Sequence, residues 1–432
     1  MTAALVMFVT MIALIVVGFD VALAMIAASV VYVVIIHFAE GLNLSSIIPQ
    51  LMGDGMNAEL LFAVPLFVLM GSLMHASGIT ETLMRALLKV LGRLPGPLGY
   101  VNVLANVVMS GMSGSAIADA AATSSILVRP MIRTGYDPAE AGALTAAAAT
   151  IGPIIPPSIP FVLIGGLAGV SIGQLFVAGI LPGLLVALVL VGWVAYRARR
   201  LPRVGVDEVF PRRSGPVLSF LQLLFAAIMP ILVVGSMISG AATVTESAAI
   251  GCALALIGLF TLFNVRDLSV VYKALVSSAT SVGAILITVA ASAPIGWILA
   301  REGVGVYVGD FLQAMSGTPV LMWFVTVTAL LVLGLALEPI PLILILTPIV
   351  YPQLGGMGVD PVHFSVVMTV ALMIGLISPP VGISLFTVSQ ASGVPLKPLL
   401  RASWPFVGLL GIAAYVVALV PWLSLWLPSL FF

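Results

Sequence analysis

The segment SGMSGS at 110–115 concentrates small and hydroxyl-bearing residues inside an otherwise apolar stretch. Its serines, Ser110, Ser113 and Ser115, offer neutral hydroxyl oxygens, and its glycines allow the backbone to turn carbonyl oxygens toward a ligand. Hard cations prefer oxygen ligands, and neutral oxygens suit a dehydrated monovalent ion. Serines also stabilise close packing between membrane helices. The segment therefore predicts either a cation site or a close helix contact.

Two proline-containing segments further along the chain match each other in spacing. They read DPAEAGALTAAAATIGPIIPPS from Asp137 and DPVHFSVVMTVALMIGLISPPVG from Asp360. Gly152 and Gly375 each lie 15 residues after the aspartate, and a Pro-Pro pair begins four residues after each glycine. Asp-Pro is a helix start, with the aspartate as N-cap and the proline in the first turn. Because proline removes a backbone donor and blocks helix continuation, each segment predicts a helix that breaks near its glycine and prolines.

The two breaks have two possible explanations. In lipid, a carbonyl without a donor is costly, so a break persists only where another group satisfies the freed carbonyls. An ion or a substrate is one such group, and a packing kink between helices is the other explanation. Two matched breaks in halves of opposite topology favour a binding site, because interrupted helices in inverted repeats mark the midplane site of secondary transporters.

Each break is expected to share an ion with one interrupted apolar hairpin. The stretch 98–133 is interrupted at 110–115, and the stretch 319–352 is interrupted by GLALEPIP at 334–341. The ligands predicted for the first ion are Ser110, Ser113, Ser115, Gly152, Pro153 and Ile155. The ligands predicted for the second ion are Gly334, Ala336, Leu337, Gly375 and Ser378.

Three charged residues at or near membrane depth are further candidates. Asp119 follows the first interruption and Glu338 lies within the second, and an ionisable group at that depth is a functional candidate by default. Asp119 could lie near an ion, but we favour a structural role, either capping a half-helix or pairing with an arginine. Arg301 ends a long apolar run beside Glu302. An interfacial position is the favoured interpretation for Arg301, and binding of a substrate carboxylate is the alternative.

The composition places these elements in a membrane. Of the 432 residues, 61% are hydrophobic and 7% are charged, whereas soluble domains carry about 25% charged residues. A span needs about 20 apolar residues, so the length allows roughly a dozen spanning or re-entrant elements. The N-terminal stretch MTAALVMFVTMIALIVVGFD lacks a basic start and a clear cleavage site, and it predicts a first transmembrane helix.

Basic clusters give the predicted orientation. They lie at 85–93, 129–133, 197–213, 266–273 and 397–401. A single threading puts all of them on one side, which the positive-inside rule assigns to the cytoplasm. Under this threading both termini are periplasmic, and 98–133 and 319–352 are re-entrant hairpins. The densest cluster consists of Arg197, Arg199, Arg200, Arg203, Arg212 and Arg213, and it is interpreted as a cytoplasmic loop.

Several function classes find no support in the sequence. The chain has no GxxxxGK[ST] motif for ATP and no HExxH metal motif. Its three histidines, His37, His75 and His363, are scattered, and its one cysteine, Cys252, lies in an apolar run. No basic run is long enough to hold nucleic acid. We therefore expect neither an enzyme, nor an ATP-driven pump, nor a nucleic-acid-binding protein.

Two segments carry a resemblance to a known family. SGMSGSAIADAAATSSILVRPMIRTGYDPAEAGALTAAAATIGPIIPPS and MIGLISPPVGISLFTV resemble the large membrane subunit of TRAP transporters, the DctM type. The resemblance extends over essentially the whole chain in length and order of elements. Met112 and Ala116 depart from the usual first tip. The resemblance implies sodium-driven uptake of an organic acid without ATP, in a bacterial inner membrane.

The same resemblance implies partners and a fold. The partners are a separate small membrane subunit of DctQ type and a periplasmic substrate-binding protein. The fold is an all-α polytopic membrane protein with an inverted repeat, two re-entrant hairpins, two broken helices, and elevator-type transport and scaffold domains. The predicted divisions are scaffold helices at 1–97, a first transport-domain repeat at 98–196, the basic loop with further scaffold helices at 197–300, and a second transport-domain repeat with the last span at 301–432.

The resemblance also implies that the substrate lies between the two tips and that there are two or more sodium sites. A substrate in that position would be held by a set of polar contacts. The predicted substrate-binding residues are Ser115, Thr150, Ser158, Glu338, Ser384 and Arg301. Two alternatives stay open at this point. One is a stand-alone sodium-coupled elevator carrier for carboxylates, and the other is a membrane scaffold that transports nothing.

Overall fold

The computed structural model describes residues 2–57, 59–202, 209, 216–315 and 317–432, and regular structure in these ranges is entirely helical. Of the predicted basic cluster, Arg203, Arg212 and Arg213 lie outside the described residues. The helices before that cluster are α1 (Thr2–Val17), α2 (Val21–Glu40), α3 (Ile47–Met56), α4 (Ala63–Ala76), α5 (Ile79–Leu91), α6 (Pro97–Ser113), α7 (Ala116–Thr123), α8 (Arg129–Arg133), α9 (Pro138–Ala149), α10 (Ile159–Ala168) and α11 (Ile172–Arg197). A π-helical turn, Ser124–Val128, joins α7 to α8.

The second half of the chain is also helical. Its helices are α12 (Pro216–Ile238), α13 (Val244–Thr261), α14 (Leu268–Arg301), α15 (Val304–Gln313), α16 (Pro319–Ala336), α17 (Pro339–Met357), α18 (Pro361–Gly375), α19 (Ile383–Ser392), α20 (Leu396–Leu419) and α21 (Trp422–Leu425). The order of two helices, a helical hairpin, a broken helix and a long helix occurs twice, from α4 to α11 and again from α14 to α20. The repeat predicted from the two proline breaks therefore extends to the neighbouring elements.

Seven of the described helices are long and apolar enough to cross a bilayer, namely α2, α11, α12, α13, α14, α16 and α20. The pair α4 and α5 passes the same test together but is bent by 64° at its break. With 34 residues, α14 is longer than a span requires, because about 20 residues already cross the hydrocarbon core. The prediction of an all-helical, polytopic membrane protein is confirmed.

Both predicted interruptions of the hairpins are present, although the first is shorter than predicted. Helix α6 continues to Ser113, and the chain turns at Gly114, whose φ of 59° is in the left-handed region that favours glycine. Gly111 is therefore helical and does not turn a carbonyl toward a ligand. A Cβ there would lie 2.7 Å from the ring of Pro230 on α12, so this glycine permits close helix approach. The second hairpin turns at Leu337, which is extended between α16 and α17.

Both predicted broken helices are present as well. The Asp137 carboxylate caps α9 by accepting the backbone N–H groups of Ala139 and Glu140, each at 3.0 Å. The Asp360 carboxylate accepts the N–H of Val362 at 2.8 Å at the start of α18. The breaks separate α9 from α10 and α18 from α19, and each contains a cis Pro-Pro peptide bond. The N-caps and breaks thus occur where Asp-Pro and Pro-Pro predicted them.

Three short helices lie between the long apolar runs. Helix α3 lies within 40–58, α5 overlaps the basic cluster at 85–93, and α15 follows α14. In α5, the apolar Leu83, Met84 and Leu88 are buried while the charged Lys89 lies on the other face. A search for spans of about 20 apolar residues misses such amphipathic helices, because only one face is apolar.

The last long helix begins and ends earlier than the last apolar run of the sequence. That run covers 402–427, whereas α20 covers Leu396–Leu419 and a separate short helix follows. Proline explains both limits: Pro395 precedes the first turn, and Pro421 interrupts the helical ladder. The first turns of α20 therefore include the basic Lys397 and Arg401.

The first halves of the two broken helices form the centre of the molecule. In α9 every residue from Ala141 to Ala149 is buried, and in α18 every residue from Val362 to Gly375 is buried. A helix that is apolar on all sides is enclosed by other elements. Helix α18 packs against α16, α17 and α20, and α9 packs against α6, α7, α19 and α20. The two breaks therefore lie at the ends of helices that other elements enclose.

Candidate functional site

The first hairpin tip packs directly against the first helix break. A Cβ on Gly114 would lie 2.5 Å from the carbonyl oxygen of Pro157, and a Cβ on Gly152 would lie 2.5 Å from Oδ2 of Asp119. No side chain fits at either glycine without displacing its neighbour. The tip and break predicted to share an ion are therefore in contact.

The first break leaves carbonyl oxygens available. Among the described residues, no backbone N–H donates to the carbonyls of Gly152 or Ile155. The three prolines of the break, Pro153, Pro156 and Pro157, have no N–H to offer. The carbonyl of Pro153 does accept a hydrogen bond, from the Ser158 hydroxyl. Buried carbonyls without donors are costly, so these oxygens are suited to a cation.

The three tip serines have different partners. The Ser110 hydroxyl, inside α6, donates to the carbonyl of Val107. The Ser113 hydroxyl donates to Oδ1 of Asp119 at 2.6 Å. The Ser115 hydroxyl accepts the N–H of Ala118 at 3.4 Å and caps α7. The Ser113 oxygen also accepts the Ser115 N–H at 3.4 Å. Ser110 and Ser113 each donate their hydroxyl proton and keep at least one oxygen lone pair for a further ligand.

The second tip meets the second break through two glycines. A Cβ on Gly375 would lie 2.4 Å from the carbonyl oxygen of Gly334, so the two backbones touch. No backbone N–H in the described part of the chain donates to the carbonyls of Gly334 or Ala336. The Gly375 carbonyl accepts the N–H of Ser378 at 3.1 Å, and the Ser378 hydroxyl donates to the carbonyl of Ile374 at 2.7 Å. We call the contact of the first tip with the first break the first junction, and that of the second tip with the second break the second junction. The second junction therefore also presents carbonyl oxygens at a close backbone contact.

One cavity of about 510 Å³ lies between the two tips. It is lined by the predicted residues Ser113, Ser115, Pro153 and Glu338, and by Pro339 at the start of α17. No lysine, arginine or histidine is among the described residues that line it. A negatively charged ligand in this cavity would have to be neutralised by cations that enter with it, or held by hydroxyl and backbone N–H donors.

Other predicted substrate contacts lie off this cavity. The Thr150 hydroxyl donates to the Ala147 carbonyl in the last turn of α9, and the Ser158 hydroxyl donates to the Pro153 carbonyl in the first break. The Ser384 hydroxyl is buried and has no partner among the described residues. Arg301 lies at the end of α14, where its guanidinium contacts the Glu40 carboxylate at 2.7 Å and lies 5.8 Å from the ring of Trp297. The interfacial interpretation of Arg301 therefore agrees with its position, and in this conformation it does not reach the cavity.

The cavity has polar residues that the sequence did not single out. Ser277, Ser281 and Thr288 form a hydroxyl stripe on the face of α14 that lines the cavity. Asp20, at the turn between α1 and α2, also lines it. Hydroxyls recurring at helical spacing in an apolar run were a usable signal for the stripe. Asp20 gave no such signal, because a charged residue between two apolar runs is typical of a loop outside the membrane.

The fold is shared with solved transporters. The chain superposes on the Alcanivorax borkumensis YdaH transporter with a TM-score of 0.58 at 17% identity, covering 88% of this chain and 89% of that one. It superposes on Neisseria gonorrhoeae MtrF, described as illuminating a class of antimetabolite efflux pumps, with a TM-score of 0.61 at 14% identity, covering 89% and 85%. Seven described helices long and apolar enough to cross a bilayer, together with this similarity, define an integral membrane protein that has the fold of these solved transporters.

Sequence comparison assigns the family. The chain belongs to the DctM component family of the tripartite ATP-independent periplasmic (TRAP) transporters, whose model matches residues 8–423. It is 34% identical over 419 residues to the sialic acid TRAP transporter large permease protein SiaM of Vibrio cholerae, covering 96% of both chains. It is 32% identical to the 2,3-diketo-L-gulonate TRAP transporter large permease protein YiaN of Escherichia coli, covering 87% and 88%. It is 33% identical to the C4-dicarboxylate protein DctM of Pseudomonas aeruginosa, covering 85% and 86%. The predicted family is confirmed, and the relatives are permeases, not enzymes.

Proposed function

We propose that this TRAP large permease imports an organic acid, drives that import with a sodium gradient, and receives the acid from a periplasmic binding protein. The observation that carries the proposal is the pair of junctions between hairpin tip and helix break on either side of one cavity. The carbonyl oxygens of Gly152 and Ile155 in the first junction, and of Gly334 and Ala336 in the second, have no backbone donor among the described residues. Two such junctions offer two sites for a monovalent cation.

Electrostatics supports coupling between the acid and the ions. The described lining of the cavity holds two carboxylates, Asp20 and Glu338, and no basic side chain. Opposite unit charges 4 Å apart attract by about 4 kcal/mol at an effective dielectric constant of 20. Two sodium ions at the junctions would therefore supply the positive charge that an organic anion needs there. Binding of the acid and of sodium would each strengthen the other.

We propose as partners a separate small membrane subunit of DctQ type and a periplasmic substrate-binding protein. The support is the family description, which names a tripartite, ATP-independent system. Sialic acid, 2,3-diketo-L-gulonate and C4-dicarboxylates are the substrates in the names of three relatives. They define a panel of hydroxylated, keto and dicarboxylic acids to test.

We propose an elevator movement in which hairpins and broken helices move against a scaffold. The scaffold comprises the helices within 1–97 and 197–300, and the moving part comprises the repeats within 98–196 and 301–432. The proposed placement is a bacterial inner membrane with periplasmic termini. Two ion pairs support this threading, because each joins two helix ends that are predicted to lie on the same side of the membrane. Arg197 pairs with Glu140 at 2.8 Å on the predicted cytoplasmic side, and Arg301 pairs with Glu40 on the predicted periplasmic side.

Proteoliposomes test the proposal. The permease is reconstituted with the small subunit, and labelled acids of the panel are supplied with the binding protein outside. We expect one acid to accumulate with an inward sodium gradient and not with an equal potassium gradient. Uptake that is unchanged without sodium would refute the coupling. Accumulation of free acid by this chain alone would instead establish the stand-alone carrier.

A further inference from the structure

Asp119 is a buried carboxylate that touches both halves of the first junction. Its side chain, on α7, is 0% exposed. Its Oδ1 accepts the Ser113 hydroxyl at 2.6 Å. Its Oδ2 has no hydrogen-bond partner among the described residues, and it lies where a Cβ on Gly152 would come within 2.5 Å. One carboxylate therefore contacts the serine of the tip and the glycine of the break.

The direction of the Ser113 hydrogen bond matters for ion binding. Ser113 lines the cavity and Asp119 does not, so the hydroxyl lies between the cavity and the carboxylate. The Ser113 oxygen also accepts the backbone N–H of Ser115 at 3.4 Å, so one lone pair is left for a ligand while the hydroxyl proton points to Oδ1. A hydrogen bond to a carboxylate is also stronger than one between neutral groups, so it holds the hydroxyl in this orientation.

The carboxylate has little other compensation. The basic group that the structure places near it is the His75 ring on α4, with Nε2 3.5 Å from Oδ1. A buried carboxylate is stable only when paired or well hydrogen-bonded. Here one oxygen takes a hydroxyl and the other takes nothing from the described residues. A cation at the junction, next to Ser113 and Gly152, would provide the missing charge.

We infer that Asp119 is the positioning residue of the first cation site, which it serves without ligating the ion. It orients the Ser113 hydroxyl toward the ion and gives a site of neutral oxygens the negative charge that raises its affinity for a monovalent cation. Because this role rests on the sodium coupling proposed above, its test must separate the two.

The test is the sodium dependence of thermal stability of the purified full chain, with choline replacing sodium at constant ionic strength. Ser113→Ala identifies the part of the sodium response that belongs to the first site. Asp119→Asn removes the charge but keeps an oxygen that can accept the Ser113 hydroxyl. Asp119→Ala removes both functions. Asp310→Asn, the same substitution on an exposed carboxylate of α15, is the matched control.

We expect Asp119→Asn to raise the sodium midpoint of the first site by about tenfold or more, and Asp119→Ala to raise it further. Asp310→Asn should keep the wild-type midpoint. A midpoint within about twofold of wild type in folded Asp119→Asn overturns the role of the charge. An unchanged response in Ser113→Ala overturns the role of the oriented hydroxyl, and it decides the matter if the Asp119 variants do not fold. A wild-type chain that does not respond to sodium refutes the sodium coupling itself.

Discussion

Replacing Gly375 by alanine is the sharpest perturbation that the structure offers. The added Cβ would lie 2.4 Å from the carbonyl oxygen of Gly334, 2.8 Å from its carbonyl carbon and 2.9 Å from its Cα. All three are backbone atoms, so no side-chain rotation relieves the contact. Real Cβ atoms essentially never approach closer than 3.0 Å. The second tip and the second break must therefore separate by about 0.6 Å or more.

The size of the effect follows from that separation. Overpacking of this kind costs about 1–3 kcal/mol of stability. A misplacement of the order of 1 Å in a binding constellation can cost about a hundredfold in function. Because carbonyls of the tip and the break would share one ion, we expect Gly375→Ala to raise the sodium concentration for half-maximal uptake by about ten- to a hundredfold. The stability loss should be small enough to leave a folded protein.

The assay is uptake by reconstituted protein as sodium is varied, together with sodium-dependent thermal stability. Gly408→Ala is the matched control, because an added Cβ on that glycine of α20 meets nothing within 4 Å. Alanine is favoured over glycine in a helix by about 1 kcal/mol, so this control should be as stable as wild type or more so. A Gly375→Ala protein with wild-type sodium dependence would show that the second junction holds no ion.

Three further predictions concern other parts of the structure. Gly114 has a left-handed φ, and a Cβ there would lie 2.5 Å from the carbonyl oxygen of Pro157. We therefore expect Gly114→Ala to abolish uptake and to lower the melting temperature, and normal uptake would mean that the tip does not need this contact. Thr145→Val removes the buried hydroxyl oxygen that accepts the Asn102 side-chain amide N–H at 2.6 Å. The free energy of unfolding, measured by heat or denaturant, should fall by about 1–3 kcal/mol. An unchanged unfolding midpoint would contradict a buried hydrogen bond at this position. Arg301→Gln removes a half-exposed ion pair with Glu40, so the free energy of unfolding should change by less than about 1 kcal/mol. The apparent affinity for the acid in uptake assays should stay near that of the wild type. A large loss of affinity would instead support Arg301 as a substrate-binding residue.

The parts of the site that the sequence predicted correctly are those that proline and glycine determine locally. Single prolines such as Pro182, Pro230 and Pro405 lie inside continuous helices. The breaks after Ala149 and Gly375 could be predicted because the same spacing of a glycine and a Pro-Pro pair occurs twice, and two adjacent prolines remove two backbone donors. The aspartate caps at Asp137 and Asp360 are similarly local. The matched interruptions of the two hairpins also predicted which tip pairs with which break, and the close glycine contacts show both pairs in contact.

The remaining features depend on packing between distant segments. Asp20 reaches the cavity only because the α1–α2 turn lies beside α14 and the second tip. Gly111 resembled a ligand-binding glycine but packs on Pro230, since nothing in the sequence indicates which helix passes close to it. The amphipathic α5 and α15 were hidden by the search for long apolar runs. Short sequence patterns define backbone shape, whereas the neighbours of a side chain are a property of the whole fold.

The hydroxyl stripe on α14 has a consequence for the energy of a moving ligand. From Ser277 to Thr288 the stripe extends about 16 Å along the helix axis, at 1.5 Å per residue. If the proposed movement against the scaffold carries the hairpins past α14, a solute held between the tips passes one hydroxyl after another. Each step then exchanges one polar neighbour for a similar one, so the solute meets no long apolar wall. The hydroxyls of α14 would therefore keep the free energy of a polar solute nearly constant during translocation.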